Sequence, residues 1–216
     1  MAGFETTLKK YPSKLYSNVI LKVYEGHSAT VHSHITKYFD FSTIKARRSE
    51  AMAAANILAD KYVNTTIVDT ILCMEGTEVI GAYLADKLTR NGILSMNAHK
   101  TIYVVSPEMG TGGQIVFRDN NEFMIRGKNV LLLVASASTG GTIFQCAECI
   151  EYYGGTIAGI SAIFSATSEV GGHDVNSIFT AEDVPGYGSY KMKDCPHCKN
   201  KQKLDAIVNA YGYSKI

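Results

Sequence analysis

The stretch KNVLLLVASASTGGTIFQCAECIEYYGG, residues 128–155, decides the fold. Residues 129–136 form an almost unbroken apolar run, which is typical of a strand buried on both faces of a sheet. Residues 143–153 have the length and composition of a helix, and a pair of glycines ends it. Between the two lies Ser-Thr-Gly-Gly-Thr. The stretch therefore predicts a strand, a tight glycine loop and a helix in direct succession.

The glycine loop has the chemistry of a phosphate cradle. The first N–H groups of a helix lack partners inside it, and the helix dipole makes that end positive. Glycines let the backbone approach an anion closely, and neighbouring hydroxyls add donors. A strand–turn–helix whose glycines serve only packing would have the same spacing, so the loop alone does not decide. The residues of the loop are Ser138, Thr139, Gly140, Gly141 and Thr142.

Outward from this stretch, apolar runs alternate with amphipathic or alanine-rich segments. Strands are predicted at residues 31–42, 65–74, 101–106 and 156–166, and helices at residues 46–62 and 77–92. Strands that alternate with helices predict βαβ units around a parallel sheet. We therefore expect an α/β fold in which a central parallel sheet is flanked by helices.

Composition and pattern divide the chain into three segments. Residues 1–45 are predicted to form a small, partly extended N-terminal hood, and residues 46–184 the α/β core. Residues 185–216 form a loop-rich C-terminal tail, which we expect to become helical near residues 203–210. Within the core, the sequence RDNN at residues 118–121 separates two strand-like stretches and predicts the turn of a β-hairpin.

Bulk composition indicates an ordinary globular protein. The chain has 216 residues, 46% of them hydrophobic and 19% charged. Its 21 Lys and Arg nearly balance its 20 Asp and Glu, so no basic surplus points to nucleic acid. No run approaches the ~18 apolar residues of a membrane helix. The N-terminal MAGFETTLKKYPSK lacks the apolar core of a signal peptide, and five cysteines do not suggest a disulfide framework. We expect a cytoplasmic protein without a membrane or nucleic-acid partner.

The succession of strand, two-residue site, short spacer, Thr-Gly-Gly-Thr and helix resembles the phosphoribosyl pyrophosphate signature of the type I phosphoribosyltransferases. Within that family the chain is most similar to the orotate phosphoribosyltransferases, from residue 25 to about residue 170. Residues 32–42 resemble their hood strand, and residues 71–88 their pyrophosphate-loop strand and helix. Residues 101–136 resemble the segment that contains their mobile catalytic loop.

This resemblance implies a ligand and a set of binding roles. Residues Ser138 to Thr142 would hold the 5-phosphate of a phosphoribosyl ligand, and Ser136 would contact its ribose. Glu75, Gly76 and Thr77 would form the pyrophosphate loop. The resemblance further implies a homodimer that binds phosphoribosyl pyrophosphate or a nucleotide and transfers phosphoribose to a nucleobase such as orotate.

Charged residues of the family are missing at three places. The two acids that hold the ribose hydroxyls correspond to Ala135 and Ser136, and the Arg-Lys pair of the mobile loop corresponds to Val105 and Ser106. The Asp-Arg pair near the base falls in the uncharged residues 164–167. Because a leaving pyrophosphate needs positive partners, we assign no catalytic residue. Two interpretations stay open: an active transferase, and an inactive nucleotide-binding or regulatory module of the same fold.

Carboxylates beside the pyrophosphate loop suit a divalent cation. Glu75 and Glu78 offer the oxygen ligands that Mg²⁺ prefers, and an active transferase would use this ion. Glu78 also fits the first turn of a helix, where an acid complements the dipole. The glycine-rich segment at residues 106–114 predicts either a mobile lid or the approach to a hairpin.

The sequence Cys195-Pro196-His197-Cys198 in the tail has the C-x-x-C spacing of a zinc knuckle. It predicts a Zn²⁺ site at Cys195 and Cys198, with His197 or His173 as candidate further ligands. A third interpretation of the protein follows, in which zinc staples an oligomer whose ligand site is vestigial.

Two other pairs are weaker candidates for metal ligands. Cys146 and Cys149 have the same spacing, but they lie in the predicted helix after the glycine loop, where they are expected to pack in the core. His32 and His34 lie two residues apart on the predicted hood strand, so we expect them to share an exposed or subunit-contacting face.

Overall fold

The computed structural model describes residues 4–90, 95–98, 100–110 and 113–216. Helices α1 to α6 span Ser42–Ala46, Arg48–Ala59, Glu78–Arg90, Asp119–Glu122, Gly141–Tyr152 and Pro196–Lys199. Strands β1 to β14 span Lys9–Pro12, Ile20–Ala29, His34–Asp40, Thr70–Cys73, Tyr103–Val105, Glu108–Met109, Ile115–Val116, Asn129–Ala137, Thr156–Ser165, Glu169–Val170, His173–Thr180, Ser189–Tyr190, Ala206–Asn209 and Gly212–Lys215. Short 3₁₀ helices lie at Phe4–Thr7, Ala181–Asp183 and Met192–Asp194.

The core sheet has the strand order β10-β11-β9-β8-β4-β5. Every pairing from β11 to β5 is parallel, and only the edge strand β10 runs antiparallel to its neighbour. Helices α2 and α3 pack on one face, and α5 packs on the other. This arrangement confirms the predicted α/β fold with a central parallel sheet flanked by helices.

Strand β8 lies at the centre of the sheet because it has apolar side chains on both of its faces, and each face is buried in a core. Successive side chains of a strand point to opposite sides, and both sides of β8 are apolar. One core contains Leu131, Leu133 and Ala135, and the other contains Val130, Leu132 and Val134. Burying one such leucine contributes about 1.5–3 kcal/mol, so the strand anchors the loop that follows it.

The second sheet, which we call the hood sheet, contains strands from both ends of the chain. Its order is β12-β3-β2-β13-β14, and β1 pairs with β2. The strand predicted at residues 31–42 is confirmed as β3. The helix predicted near residues 203–210 is wrong: Ala206 and Val208 are buried and the residues between and after them are exposed, so the period is two. Strand β13 pairs in parallel with β2 on one side and antiparallel with β14 on the other.

The hairpin predicted around residues 118–121 is also wrong. Helix α4 occupies those positions, and β7 instead pairs with β6, which precedes it. The turns after α4 bring Ile125 into the core that contains α5, where it is fully buried. Gly92, the predicted end of α3, lies outside the described residues. Among the described helices, none is both long and apolar enough to cross a membrane.

Candidate ligand-binding site

Two loops leave the carboxyl edge of the core sheet side by side. One follows β8 and contains residues 138–140, and the other follows β4 and contains residues 75–77. They meet because β4 and β8 are parallel neighbours, with Cys73 opposite Leu133. Ligands of open α/β sheets bind at this edge. The two loops and the hood sheet above them enclose the cavities described next.

The glycine loop surrounds a cavity of about 370 Å³. All five residues from Ser138 to Thr142 line it, together with Ser136, Glu75 and three hood residues, Thr30, His32 and Ser33. Gly140 is the N-cap of α5, and no described side chain caps the helix there. The N–H groups of the first turn are therefore available to an anion, and the helix dipole favours one.

The two glycines of this loop have different roles. Gly140 has a left-handed backbone with φ of 77°, and a Cβ there would approach Cγ2 of Val170 to 2.7 Å. Glycine is thus required at 140 by the backbone and by Val170, so the position is a poor probe of ligand contact. A Cβ on Gly141 would meet only Oγ1 of Thr139, at 3.8 Å, so this position tolerates a side chain.

Glu75 lies where the cavities of the site meet. It has a left-handed backbone with φ of 60°, and Gly76 follows with φ of 80°. Such a conformation in a residue other than glycine costs roughly 1–3 kcal/mol and needs support from its surroundings. The support comes from Lys45, whose Nζ donates to the Glu75 carbonyl oxygen at 2.7 Å and to the Ala210 carbonyl oxygen at 2.6 Å.

The Glu75 carboxylate points toward the end of β8. Its Oε2 accepts from the N–H of Ala135 at 3.1 Å and from the N–H of Ser136 at 3.3 Å. Burial raises the pKa of the Glu75 carboxyl, although these two N–H groups and the charge of Lys45 act in the opposite direction. Burial likewise lowers the pKa of Lys45. The carboxylate and the ammonium therefore lie in a region of low dielectric.

The residues at the family's acidic pair do not share a role. Ala135 is fully buried in the core on the α2 and α3 side, whereas Ser136 lines the loop cavity. The Glu75 carboxylate accepts from the backbone N–H groups of both positions, so an acidic side chain lies beside Ser136 although neither position is itself acidic. The sequence placed Glu75 only in the pyrophosphate loop, and no local signal showed that its side chain folds back onto β8.

A second cavity, of about 230 Å³, adjoins the first beneath the hood. It shares Glu75, Ser136 and Ser138 with the loop cavity. Its aromatic walls are Tyr38, Phe39, Phe41 and Tyr187. The hydroxyls of Ser138 and Tyr187 share a hydrogen bond of 2.7 Å, and burial raises the pKa of Tyr187. Sequence reasoning missed Tyr187, because only the tertiary fold brings residue 187 to this loop.

A third cavity, of about 600 Å³, opens on the other side of Glu75. Glu78 and Ser106 line it, and Oγ of Ser106 donates to Oε1 of Glu78 at 2.7 Å. The segment predicted as a lid or a hairpin approach contributes Ser106, Pro107, Met109 and Gly113, while residues 111 and 112 lie outside the described residues. No lysine or arginine of the described chain lines any of the three cavities.

The three residues of the predicted pyrophosphate loop have different roles in the structure. Of these three, only Glu75 lines the cavities. Gly76 provides the second left-handed residue. Thr77 is fully buried, and its hydroxyl donates to the carbonyl oxygens of Met74 and Leu133 at 2.9 and 3.1 Å. Thr77 thus fixes the loop to β8 and does not present its hydroxyl to a ligand.

The sequence of the chain was compared with protein families and with curated proteins. No family model matches the chain. The orotate phosphoribosyltransferase of Pelotomaculum thermopropionicum is 29% identical over 106 residues, which cover 45% of this chain and 54% of that protein. The chain thus spans about half the length of this curated relative.

Solved structures extend the comparison. The adenine phosphoribosyltransferase of Thermoanaerobacter pseudethanolicus has a TM-score of 0.50 at 16% identity, over 82% of this chain and 97% of that one. The UMP synthase of Leishmania donovani has a TM-score of 0.53 at 16% identity, over 74% of this chain and 34% of that one. The chain has the type I phosphoribosyltransferase fold.

Within this phosphoribosyltransferase fold, the two C-x-x-C pairs lie in different environments. Cys146 and Cys149 pack in the core, as predicted, and burial raises the pKa of Cys146 to about 12. Cys195 and Cys198 lie instead beside two hood histidines, His27 and His34.

Neither of the histidines that the sequence offered as further zinc ligands belongs to this group of four. His197 stacks on the His27 ring, with centroids 5.1 Å apart, and His173 lies on β11 in the core sheet. His32 and His34 do not share a face, because His32 precedes the strand and lines the ligand cavities while His34 joins the cysteines.

Proposed function

We propose that the chain is a phosphoribosyltransferase that binds phosphoribosyl pyrophosphate and transfers its phosphoribosyl group to a nucleobase. The observation that carries the proposal is one connected cleft. An uncapped helix terminus, a carboxylate and an aromatic-walled cavity adjoin around Glu75, Ser136 and Ser138. The 29% identity to an orotate phosphoribosyltransferase supports the same activity.

The 5-phosphate occupies the loop cavity in this proposal. The N–H groups at the start of α5 bind its oxygens, and the hydroxyls of Thr139 and Thr142 add donors. Ser138 has a further function, because its hydrogen bond to Tyr187 connects the phosphate loop to the second cavity. A nucleotide 5-phosphate fits the same cradle.

The ribose hydroxyls are held by Glu75 and Ser136. A hydrogen bond to a charged group contributes about 1.5–3 kcal/mol, against roughly 0.5–1.5 kcal/mol for a neutral one. Glu75 therefore takes over from a different loop the role that the resemblance assigns to two acids at positions 135 and 136. The N–H groups of those residues hold the carboxylate in place.

The pyrophosphate group belongs in the third cavity, with Mg²⁺. Glu75 and Glu78 line this cavity and no described lysine or arginine does, so a bare pyrophosphate would be repelled. Carboxylate oxygens fit a hard divalent cation, and Glu75 and Glu78 would hold it. When bound, the ion supplies positive charge to the leaving group.

The nucleobase stacks among the aromatic residues of the second cavity. During transfer, a ring nitrogen of the base bonds to C1 of the ribose while the bond from C1 to pyrophosphate breaks. Pyrophosphate leaves with the electron pair, and the base loses the proton of that nitrogen. Similarity to the orotate phosphoribosyltransferase favours orotate as the base. Orotate carries a carboxylate, however, and a cavity that no described lysine or arginine lines favours an uncharged base.

The second candidate function is a nucleotide-binding or regulatory module without transfer. Such a module would bind a phosphate at the same glycine loop and would not release pyrophosphate.

We further propose that the protein acts in the cytoplasm and that it forms a homodimer. Sedimentation analysis of the purified chain tests the homodimer.

Isothermal titration with phosphoribosyl pyrophosphate and Mg²⁺, and with nucleoside monophosphates, tests the binding proposal. We expect phosphoribosyl pyrophosphate to bind in a Mg²⁺-dependent manner. Binding of monophosphates alone would favour the regulatory module, and binding of neither would refute both functions.

A further inference from the structure

Four metal-ligating side chains converge where the tail meets the hood sheet. His27 lies on β2, His34 begins β3, Cys195 is the N-cap of α6, and Cys198 lies within α6. One ligand atom from each residue lies within 4.8 Å of all the others. His27 and Cys195 are each 1% exposed. We call these four residues the His/Cys cluster; it lies outside the ligand cavities.

The distances in the His/Cys cluster fit a tetrahedral metal. Zinc bonds of ~2.0 Å to nitrogen and ~2.3 Å to sulfur place tetrahedral ligand atoms roughly 3.3–3.8 Å apart. Sγ of Cys195 and Sγ of Cys198 each lie 3.6 Å from Nε2 of His27. Nδ1 of His34 lies 3.2 Å from Sγ of Cys198 and 2.9 Å from Nε2 of His27. The four atoms therefore already surround a space of the size that the ion needs.

The surroundings of His27 orient it as a ligand. Its Nδ1 faces the carbonyl oxygens of Gln202 at 3.0 Å and Lys203 at 3.2 Å. Since carbonyl oxygens only accept, Nδ1 carries the proton and Nε2 directs a lone pair into the cluster. Metal-binding histidines are typically held in this way by a carbonyl or carboxylate on the other ring nitrogen.

We propose that the His/Cys cluster binds one structural Zn²⁺ ion, with His27, His34, Cys195 and Cys198 as its four ligands. Two thiolates and two imidazoles select zinc over Mg²⁺ or Ca²⁺. Four protein ligands leave no open coordination position, which is typical of a structural and not a catalytic site. The C-x-x-C motif of the sequence supplies half of this site, and the hood supplies the rest.

The ion fastens the tail to the hood. Directly after the cluster, the Asp205 carboxylate accepts from the His27 N–H at 2.8 Å, and Ala206 starts the pairing of β13 with β2. Strand β13 leads to Asn209 and Ala210, which line the second and third cavities. Zinc thus holds in register the strand that carries one wall of the ligand site.

Elemental analysis of the purified full chain tests the site directly. We expect one zinc per chain, lost in the double variant Cys195→Ala/Cys198→Ala and in His34→Gln. The matched control Cys146→Ala/Cys149→Ala has the same C-x-x-C spacing and should retain zinc, as should His197→Gln. A native chain without stoichiometric zinc, or zinc that survives removal of Cys195 and Cys198, would overturn the proposal.

A measurement on the native sequence covers the case in which the cysteine variants do not fold. Replacing zinc by Co²⁺ should give the intense visible absorption of tetrahedral cobalt with thiolate ligands. Removal of the metal should also speed hydrogen exchange in β13 and not in β8. A spectrum of octahedral cobalt, or unchanged exchange in β13, would refute the ligand set or its structural role.

Discussion

Glu75 combines a strained backbone with a carboxylate folded back onto β8. We expect Glu75→Gln to keep the hydrogen bonds from the Ala135 and Ser136 N–H groups, because the amide oxygen accepts as well. The charge is lost, so binding of phosphoribosyl pyrophosphate should weaken about tenfold, corresponding to roughly 1.4 kcal/mol. Isothermal titration measures this, with Glu151→Gln on the exposed side of α5 as the control. Equal affinity in Glu75→Gln and native protein would remove Glu75 from the ribose site.

The raised pKa of Glu75 gives that site a pH dependence. Because burial favours the protonated form, the carboxylate disappears on acidification at a pH above that of an ordinary glutamate. Ligand affinity should therefore fall as pH decreases through this raised pKa, and the fall should be absent in Glu75→Gln. The sign for stability is opposite: ionised Glu75 costs folding free energy above its folded pKa, and that cost vanishes below the unfolded value. Titrations and denaturant unfolding at matched pH values separate the two effects.

Gly141 allows a charge test of the phosphate loop without a change in the fold. Gly141→Asp places a carboxylate in the first turn of α5, where the dipole stabilises it by about 0.3–1 kcal/mol, but beside the bound phosphate. Two like charges ~4 Å apart repel by about 1–4 kcal/mol near a protein surface, so affinity should drop at least tenfold. Gly141→Asn has the same bulk without the charge and should bind nearly as well as native protein. If Gly141→Asp and Gly141→Asn bind phosphoribosyl pyrophosphate with equal affinity, the phosphate does not lie at this helix terminus.

At the scale of elements, sequence patterns predicted what is local. The run from Asn129 to Ala137 carries its own evidence for a buried strand, since both faces are apolar, and the glycine loop with α5 follows directly. Strand β13 is different: its four residues, with Ala206 and Val208 buried, pair with β14 and with β2, and the pairing with β2 joins segments that are distant in sequence. The hairpin prediction failed because the tertiary burial of Ile125, and not turn propensity, determines the structure after α4.

The residues of the candidate site follow the same distinction. The loop from Ser138 to Thr142 was predictable because its chemistry and its backbone are contiguous. The role of Tyr187 and the contact of Glu75 with the end of β8 were not, since each joins segments that are distant in sequence. For the His/Cys cluster, the sequence revealed the two cysteines, but His27 lies 168 residues from Cys195.

Lys45 connects three elements, since it lies in α1 and its Nζ donates to the loop after β4 and to the turn after β13. Lys45→Met should destabilise the fold by about 1–4 kcal/mol, because the carbonyl oxygens of Glu75 and Ala210 each lose a charged donor in a buried place. Urea unfolding measures this. Lys14→Met is the control: Lys14 pairs with Asp183 at 2.7 Å but is 80% exposed, and such surface pairs contribute about 0–1 kcal/mol. A Lys45→Met variant as stable as its control would show that the loop supports Glu75 without the lysine.

At the scale of the whole molecule, the hood sheet joins both ends of the chain, and the ligand cavities lie between it and the core. Zinc at the His/Cys cluster should therefore contribute to global stability. An ion at about 1,000 times its dissociation constant stabilises by ~4 kcal/mol, so a strong chelator should lower the Tm by about 8–16 °C for a chain of this size. Added zinc should restore it. Calorimetry with and without chelator measures the shift, and an unchanged Tm after verified metal removal would contradict a structural role.

The central claim is that one cleft binds phosphoribosyl pyrophosphate and carries out transfer, and the most direct measurement is pyrophosphate release by the native chain with Mg²⁺. The assay should cover orotate and a panel of uncharged bases, with Gly141→Asp and Gly141→Asn in parallel. We predict that pyrophosphate release requires both phosphoribosyl pyrophosphate and one base. Gly141→Asn should retain this release, whereas Gly141→Asp should reduce it at least tenfold at subsaturating substrate. Absence of release with every base, from a protein that binds phosphoribosyl pyrophosphate, would contradict the claim of transfer.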